Sequence, residues 1–260
     1  MSYMKKIKVK FLLTLLVAVV LAVFSATSGL NLLSASADVG ASGEAADPVL
    51  SGLLNTTEHI SYMSGYADGS FEPDSEITRA EAAMVFYRLL NDQNVPITET
   101  FADVKSGDWY AEAVNTLASL DIVGGDEKGA FRPKDSITRA EFIALVMHFG
   151  NVFCGCENIF TDVDEDAWYY DYVMSAVDLD WVSGYADGTF HPNEYITRAE
   201  VANITNRVLD RQPDIDYLEE NAESINEFDD VEPDYWACYD ILEACISHDH
   251  TEVNGTEVWK

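Results

Sequence analysis

Positive charge is what this chain has least of. Its 260 residues include 15 Lys and Arg against 46 Asp and Glu, a formal net charge of −31. A surface this acidic excludes nucleic acid as a partner, because phosphates demand a basic footprint, and it disfavours an anionic lipid surface. Long apolar runs are scarce too. The one candidate, Phe11 to Phe24, is about 14 residues, where a membrane helix needs ~20. It follows Lys5, Lys6, Lys8 and Lys10 and precedes Ala35-Ser36-Ala37. Residues 1–37 therefore read as a secretory signal peptide cut before Asp38. Removing it leaves eleven cations against 46 anions and no membrane segment. The small, polar residues 38–47 read as a linker. Gly-x-Ser-x-Gly and His-Glu-x-x-His are both missing, and no segment outside the repeats described below is long enough for a catalytic domain. Neither enzyme activity nor a cofactor is expected.

Cysteine is sparse: Cys154, Cys156, Cys238 and Cys245. A secreted setting permits disulfides. Cys238 and Cys245 would share one helix face about two turns apart, too far to bridge each other. If a bridge forms, the sensible one joins the Cys-Gly-Cys loop to the C-terminal helix. The spacing fits no standard zinc pattern even with His248 and His250 nearby, and no metal site is expected. Asp162-x-Asp164-x-Asp166 opens like a calcium loop, but Ala167 stands where glycine is needed and Val173 where glutamate is needed.

What the chain does have is an internal repeat. Thr-Arg-Ala-Glu occurs at Thr78–Glu81, Thr138–Glu141 and Thr197–Glu200, at intervals of 60 and 59 residues. Each copy follows a glycine (Gly65, Gly125, Gly184) by thirteen residues and a Phe-x-Pro starting at Phe71, Phe131 or Phe190. Repetition at a fixed period decides architecture before any local pattern does. The unit is plainest over 101–150. It opens Phe101-Ala102-Asp103-Val104, and Trp109, Ala113, Leu117 and Leu120 then fall at helical spacing. A turn follows, and a second helix from Thr138 places Phe142, Leu145, Val146 and Phe149 on one face. Residues 160–209 repeat this register. Residues 48–91 keep only the second half, with Val49 in place of the tryptophan, and 228–260 keep only the first half, with Asp230 and Trp236 in register. Helix pairs of this kind bury their apolar faces only against neighbours. Either the C-terminal half unit packs back on the first repeat and closes a three-unit ring, or a degenerate helix near Pro48–Met63 stands alone and the fourth copy frays.

Thr-x-x-Glu is a capping box, a structural reason for Thr, Ala and Glu. Arginine at the first helical position has none, since a cation there faces the positive end of the helix dipole. Arg79, Arg139 and Arg198 beside free backbone amides would make anion sites suited to a carboxylate. The plainer alternative is a salt bridge to a carboxylate such as Asp103 or Asp162. The Gly-Tyr-x-Asp-Gly turns at Gly65–Gly69 and Gly184–Gly188 have Asp-Gly turn chemistry and let a ligand approach the backbone. Trp109, Trp168 and Trp236 start their helices. Such tryptophans are more often core than ligand platforms, although aromatic faces do stack on sugars.

The pattern Phe-x-Asp-Val, Trp, Gly-Tyr-x-Asp-Gly-x-Phe-x-Pro, Ile-Thr-Arg-Ala-Glu resembles the S-layer homology (SLH) domain across roughly residues 48–247. The resemblance implies a mostly α fold: a pseudo-threefold assembly of helix-loop-helix units around a central helical bundle, with grooves between units. It implies a secreted protein of the bacterial cell surface that binds a secondary cell-wall polysaccharide through a pyruvylated sugar, whose ketal is a carboxylate. Carried over by position, Arg79, Arg139 and Arg198 would take the carboxylate, and Gly65, Gly125 and Gly184 would line the groove wall. Trp109, Trp168 and Trp236, with Asp103, Asp162 and Asp230, would complete the pocket or its frame. The second repeat departs from the pattern, with Asp126 in place of tyrosine and Lys128 in place of the turn aspartate. The groove using Arg198 has the most complete third-repeat motif. The alternative is an interaction module that binds other surface proteins, or itself, without glycan.

Overall fold

In the computed structural model, residues 52–150, 152, 157–225 and 228–260 are described. The signal peptide, the linker, Pro48 to Ser51 and the Cys154 and Cys156 pairing lie outside them. The described chain runs α1 (Arg79–Arg88), α2 (Ala111–Ser119), α3 (Arg139–Met147), α4 (Tyr170–Asp178), α5 (Arg198–Val208), α6 (Ile215–Glu220), α7 (Ala222–Ile225), α8 (Cys238–Cys245), β1 (His250–Val253) and β2 (Thr256–Trp259). No described helix is long and apolar enough to cross a membrane.

Helices α1, α3 and α5 each start at a complete capping box. Thr78, Thr138 and Thr197 accept the amide of the glutamate three residues on, and that glutamate accepts the threonine amide in return. The residue before each threonine ties the three together. Ile77 N donates to Ile196 O at 3.2 Å, Ile196 N to Ile137 O at 3.1 Å, and Ile137 N to Ile77 O at 3.1 Å. This closed triangle of backbone hydrogen bonds, with all three side chains buried, marks the pseudo-threefold axis. Helix α3 is buried nearly all round, so it stands inside the bundle. Phe86 of α1 packs on Phe142 and Phe149 with ring centroids 5.8 and 5.2 Å apart.

The outer helices pair with the inner ones across repeats: α1 with α2, α3 with α4, and α5 with α8. The turns pair within repeats. Asp103 accepts the amides of Phe131 and Arg132, and Asp162 those of Phe190 and His191. Asp230 does the same for Phe71 and Glu72, 159 and 158 residues away. Phe228 packs on Phe71 with tilted rings 5.4 Å apart, as Phe101 does on Phe131 and Phe160 on Phe190, each at 5.3 Å. The C-terminal half unit thus supplies the first half that the N-terminal repeat lacks, and the two ends of the described chain make one unit. Residues 52–63 contain no helix; α8 occupies the place of the degenerate helix considered for Pro48–Met63.

The expectation that the tryptophans are core does not hold. Trp109, Trp168 and Trp236 are 62%, 61% and 60% exposed. Each lies two residues before its helix begins, so it falls outside the apolar stripe, which in α2 starts at Ala111 and Val114. The C-terminal hairpin went unanticipated, although Asn254-Gly255 is a hairpin turn signal. Both residues have positive φ, 55° and 79°, and His250 pairs with Trp259.

Two outcomes follow from this packing. Deleting residues 226–260 removes buried Val231, Ile241 and Leu242, each worth about 1.5–3 kcal/mol. Thermal unfolding should then lose its cooperative transition, and an unchanged melting temperature would show that the ring does not depend on this segment. A Cβ on Gly184 would lie 2.2 Å from the Phe160 ring and 2.5 Å from Thr189 O, whereas on Gly125 the nearest atoms are 3.0 Å and 3.2 Å away. Gly184→Ala should therefore cost about 1–3 kcal/mol by overpacking, and Gly125→Ala clearly less, as read by denaturant unfolding.

Candidate functional site

Each arginine leaves its own helix and enters the turn of the next unit. Arg198 Nε donates to Phe71 O at 2.8 Å and Nη2 to Ser64 O at 2.9 Å. Arg139 Nε reaches Phe190 O at 3.0 Å. Arg79 Nε reaches Phe131 O at 2.8 Å and its Nη2 reaches Gly124 O at 3.1 Å. The guanidinium groups lie over aromatic rings: Arg198 over Phe71 and Tyr66 at 4.5 and 4.8 Å, and Arg139 over Phe190 and Tyr185 at 4.9 and 5.0 Å. Arg79 has Phe131 at 4.9 Å, and Asp126 stands where its second ring would be.

This corrects two sequence expectations. The helix N-terminal amides are not free: Arg198 N and Ala199 N donate to Ser75 O and Pro73 O, Arg79 N and Ala80 N to Asp135 O and Pro133 O, and Arg139 N and Ala140 N to Glu194 O and Pro192 O. Nor do Asp103 and Asp162 pair with the arginines, because their oxygens are spent on the turn amides. The aspartates frame the turns, and the arginines clip neighbouring units together whatever else they do.

Two equivalent grooves form beside these clips. In the first, of about 210 Å³, Arg198 from one repeat meets Gly65, Tyr66, Glu81 and Arg88 from another, and Trp109 from the third. In the second, of about 140 Å³, Arg139 meets Gly184, Tyr185, Glu200, Asn203 and Trp236. Each groove therefore draws its arginine, its glycine turn and its tryptophan from three different segments. Arg79 is clipped to the equivalent turn at Phe131 and Gly124, and it also lines a cleft with Arg132, Asp135, Thr138, Glu141 and Tyr195.

The grooves differ in charge. Glu200 Oε1 holds Arg139 Nη1 at 2.8 Å and accepts the Tyr185 hydroxyl at 2.6 Å. Burial, followed by that bond, pushes the Tyr185 phenol up to about 12. Arg139 is thus neutralised within its groove. Around Arg79, Glu141 stands 3.9 Å away, and Asp126 is 3.6 Å from Arg132. Asp126 also explains how the second turn tolerates Lys128. The amides of Ala130 and Lys128 donate to Asp126 and hold its carboxyl below the ordinary value. Among the described residues no carboxylate pairs within 4.0 Å with Arg198 or Arg88, and Arg198 Nη1 makes no hydrogen bond. The first groove keeps its positive charge, with exposed Trp109 at its edge.

Sequence reasoning missed Tyr66, Tyr185, Glu81, Glu200 and Arg88. In the sequence, the capping box accounts for Glu81 and Glu200 on its own. One carboxylate oxygen is enough for the cap (Glu81 Oε2 to Thr78, Glu200 Oε2 to Thr197), and the other faces the groove.

Comparison with known proteins identifies the repeat. The model of the S-layer homology domain matches residues 61–83, 100–143 and 159–202. A cellulosome-anchoring protein of Acetivibrio thermocellus is 36% identical over 218 residues, 78% of this chain and 46% of that protein. Cell surface glycoprotein 1 of the same organism is 34% identical over 207 residues, 74% of this chain and 9% of that protein. An amylopullulanase of Thermoanaerobacterium thermosulfurigenes is 35% identical over 166 residues, 61% of this chain and 9% of the enzyme. The chain thus spans less than half the length of these relatives. With three matched repeats and a mostly helical pseudo-threefold fold, the chain belongs to the S-layer homology domain family.

Proposed function

We propose that this protein anchors non-covalently to the bacterial cell envelope by binding a secondary cell-wall polysaccharide, with the carboxylate of a pyruvylated sugar on Arg198 in the first groove. One observation carries the reading: a guanidinium edge with no ion pair, with Arg88 in the same groove, beside a tryptophan that the fold leaves exposed. A planar fork in a half-enclosed site suits a carboxylate, and an exposed indole face suits a sugar ring. In this reading Tyr66 and Glu81 offer the sugar hydrogen bonds, Asp230 holds the turn in shape, and Gly65 lines the wall, its missing Cβ leaving room for the Phe228 ring. The second groove, with Arg139 already paired to Glu200, takes the ligand more weakly, and the Arg79 set contributes least. The chain performs no chemistry here. The match to an amylopullulanase covers 9% of that enzyme, consistent with a module that enzymes carry as a separate region.

The test is sedimentation of the protein with purified wall sacculi, before and after mild acid that strips pyruvate ketals. Arg198→Ala would also cut the clip to Phe71 and Ser64, so Trp109→Ala is the cleaner variant. It should keep the melting temperature and weaken binding about tenfold, the equivalent of 1.4 kcal/mol. Trp168→Ala, outside both grooves, should bind as the parent does. Binding that survives ketal stripping, or equal loss in both tryptophan variants, would rule out the first groove as a carboxylate site.

A further inference from the structure

Away from the grooves, four metal-ligating side chains converge in the unit built from the two chain ends. His59 comes from the segment before the first turn, Glu243 from α8, His248 from just after it, and Glu257 from β2. His59, Glu243 and Glu257 are buried, His248 is half-buried with its side chain turned inward, and one ligand atom from each lies within 4.8 Å of the others. His59 Nδ1 is 3.0 Å from His248 Nε2, 3.0 Å from Glu257 Oε1 and 3.3 Å from Glu243 Oε1. His248 Nε2 is 3.1 Å from Glu257 Oε1 and 3.7 Å from Glu243 Oε2. Four ligands on a tetrahedral zinc ion, with bonds of ~2.0–2.1 Å, stand roughly 3.3–3.4 Å apart. The five separations, which use both oxygens of Glu243, run from 3.0 to 3.7 Å around that value, and one ligand atom per residue keeps all four within 4.8 Å.

The surroundings hold these atoms in place. His248 Nδ1 sits 3.0 Å from Ile246 O, so it carries the proton and a neutral His248 turns the Nε2 lone pair inward, as an outer partner does for a metal-bound histidine. Trp259 stacks on His248 at 3.5 Å, and His250 lies against His59 at 3.7 Å. Glu243 is fully buried, and neither of its oxygens has a hydrogen bond among the described residues, an expensive state for a carboxylate. Arg211 is 4.0 Å from Glu243, too far for a hydrogen bond; its Nη1 and Nη2 donate to the carbonyls of Ile60 and Glu58, and its Nε has no partner among the described residues.

Protons serve this cluster poorly. One proton cannot fill five contacts among four groups. A proton on each inward nitrogen sets N–H against N–H at 3.0 Å. One divalent ion at the centre satisfies all four ligands together. We infer that His59, His248, Glu243 and Glu257 bind a first-row divalent transition metal, zinc foremost. Two imidazole nitrogens argue against calcium and magnesium, which take oxygen. His59 and Glu257 also line a cleft with His250, Gln212 and Glu252, which gives the ion a way in. The ion would pin the segment before the first turn to α8 and the hairpin, joining ends 189 residues apart.

The full chain is stripped with a chelator and dialysed, then titrated with Co²⁺ and Zn²⁺. About one equivalent of each should bind. Cobalt should develop the intense visible bands of a tetrahedral site, and the melting temperature should rise with zinc but not with calcium or magnesium. Glu243→Gln and His248→Gln should abolish the bands, whereas His250→Gln, which alters a stacked ring and no ligand, should keep them. If either ligand variant fails to fold, the parent's stoichiometry and spectrum still decide. No stoichiometric binding, octahedral cobalt spectra, or equal binding by folded His248→Gln would overturn the assignment and leave a proton-bridged buried ion network.

Discussion

Everything in this fold depends on helix N-termini that cannot satisfy themselves. A helix leaves four amides without internal partners, and each inner helix uses its threonine for only one of them. The amides of Arg79, Ala80, Arg139, Ala140, Arg198 and Ala199 are met by carbonyls of the neighbouring unit's Phe-x-Pro turn. Each turn is in turn held by an aspartate whose two oxygens bind two successive amides. No unit is therefore complete without the next, and the three isoleucines close that dependence around an axis. The arginine at the first helical position, unfavourable for its own helix, is repaid by carbonyls and aromatic rings across the boundary.

The same dependence builds the grooves. The arginine, the glycine turn and the tryptophan of one groove come from three segments, so groove shape follows from ring closure. Charge then distinguishes grooves of nearly identical backbone. Arg139 is paired with Glu200 at 2.8 Å, whereas among the described residues Arg198 has no carboxylate within 4.0 Å. Repeats can thus keep one architecture and carry different charge in each groove.

Local chemistry was legible in the sequence. Thr-x-x-Glu gave three capping boxes, and Asp-Gly gave glycines at φ of 91° and 81° in the first and third turns. The register of Phe228, Asp230 and Trp236 pointed to a missing half unit. Directions across unit boundaries were not legible. Spacing placed the arginines on their helices but could not send their side chains into another repeat, and it could not reveal that the terminal amides were already taken. The tryptophans were misread because the helical pattern seemed to include them, when their positions precede the first turn. In the His59, Glu243, His248 and Glu257 cluster three members are near in sequence, but His59 reaches them from 189 residues before His248, and only the closed ring brings it there.

That one unit is made from both ends of the chain has a consequence for the order of events. The turn at Phe71 waits for Asp230, 159 residues later, while the other two turns find their aspartates 28 residues earlier. A chain emerging N-terminus first can assemble its second and third units as they appear. The turn at Phe71 stays open until Asp230 reaches it, and contacts so distant in sequence form slowly. Closure of that unit is therefore the slow step of the three.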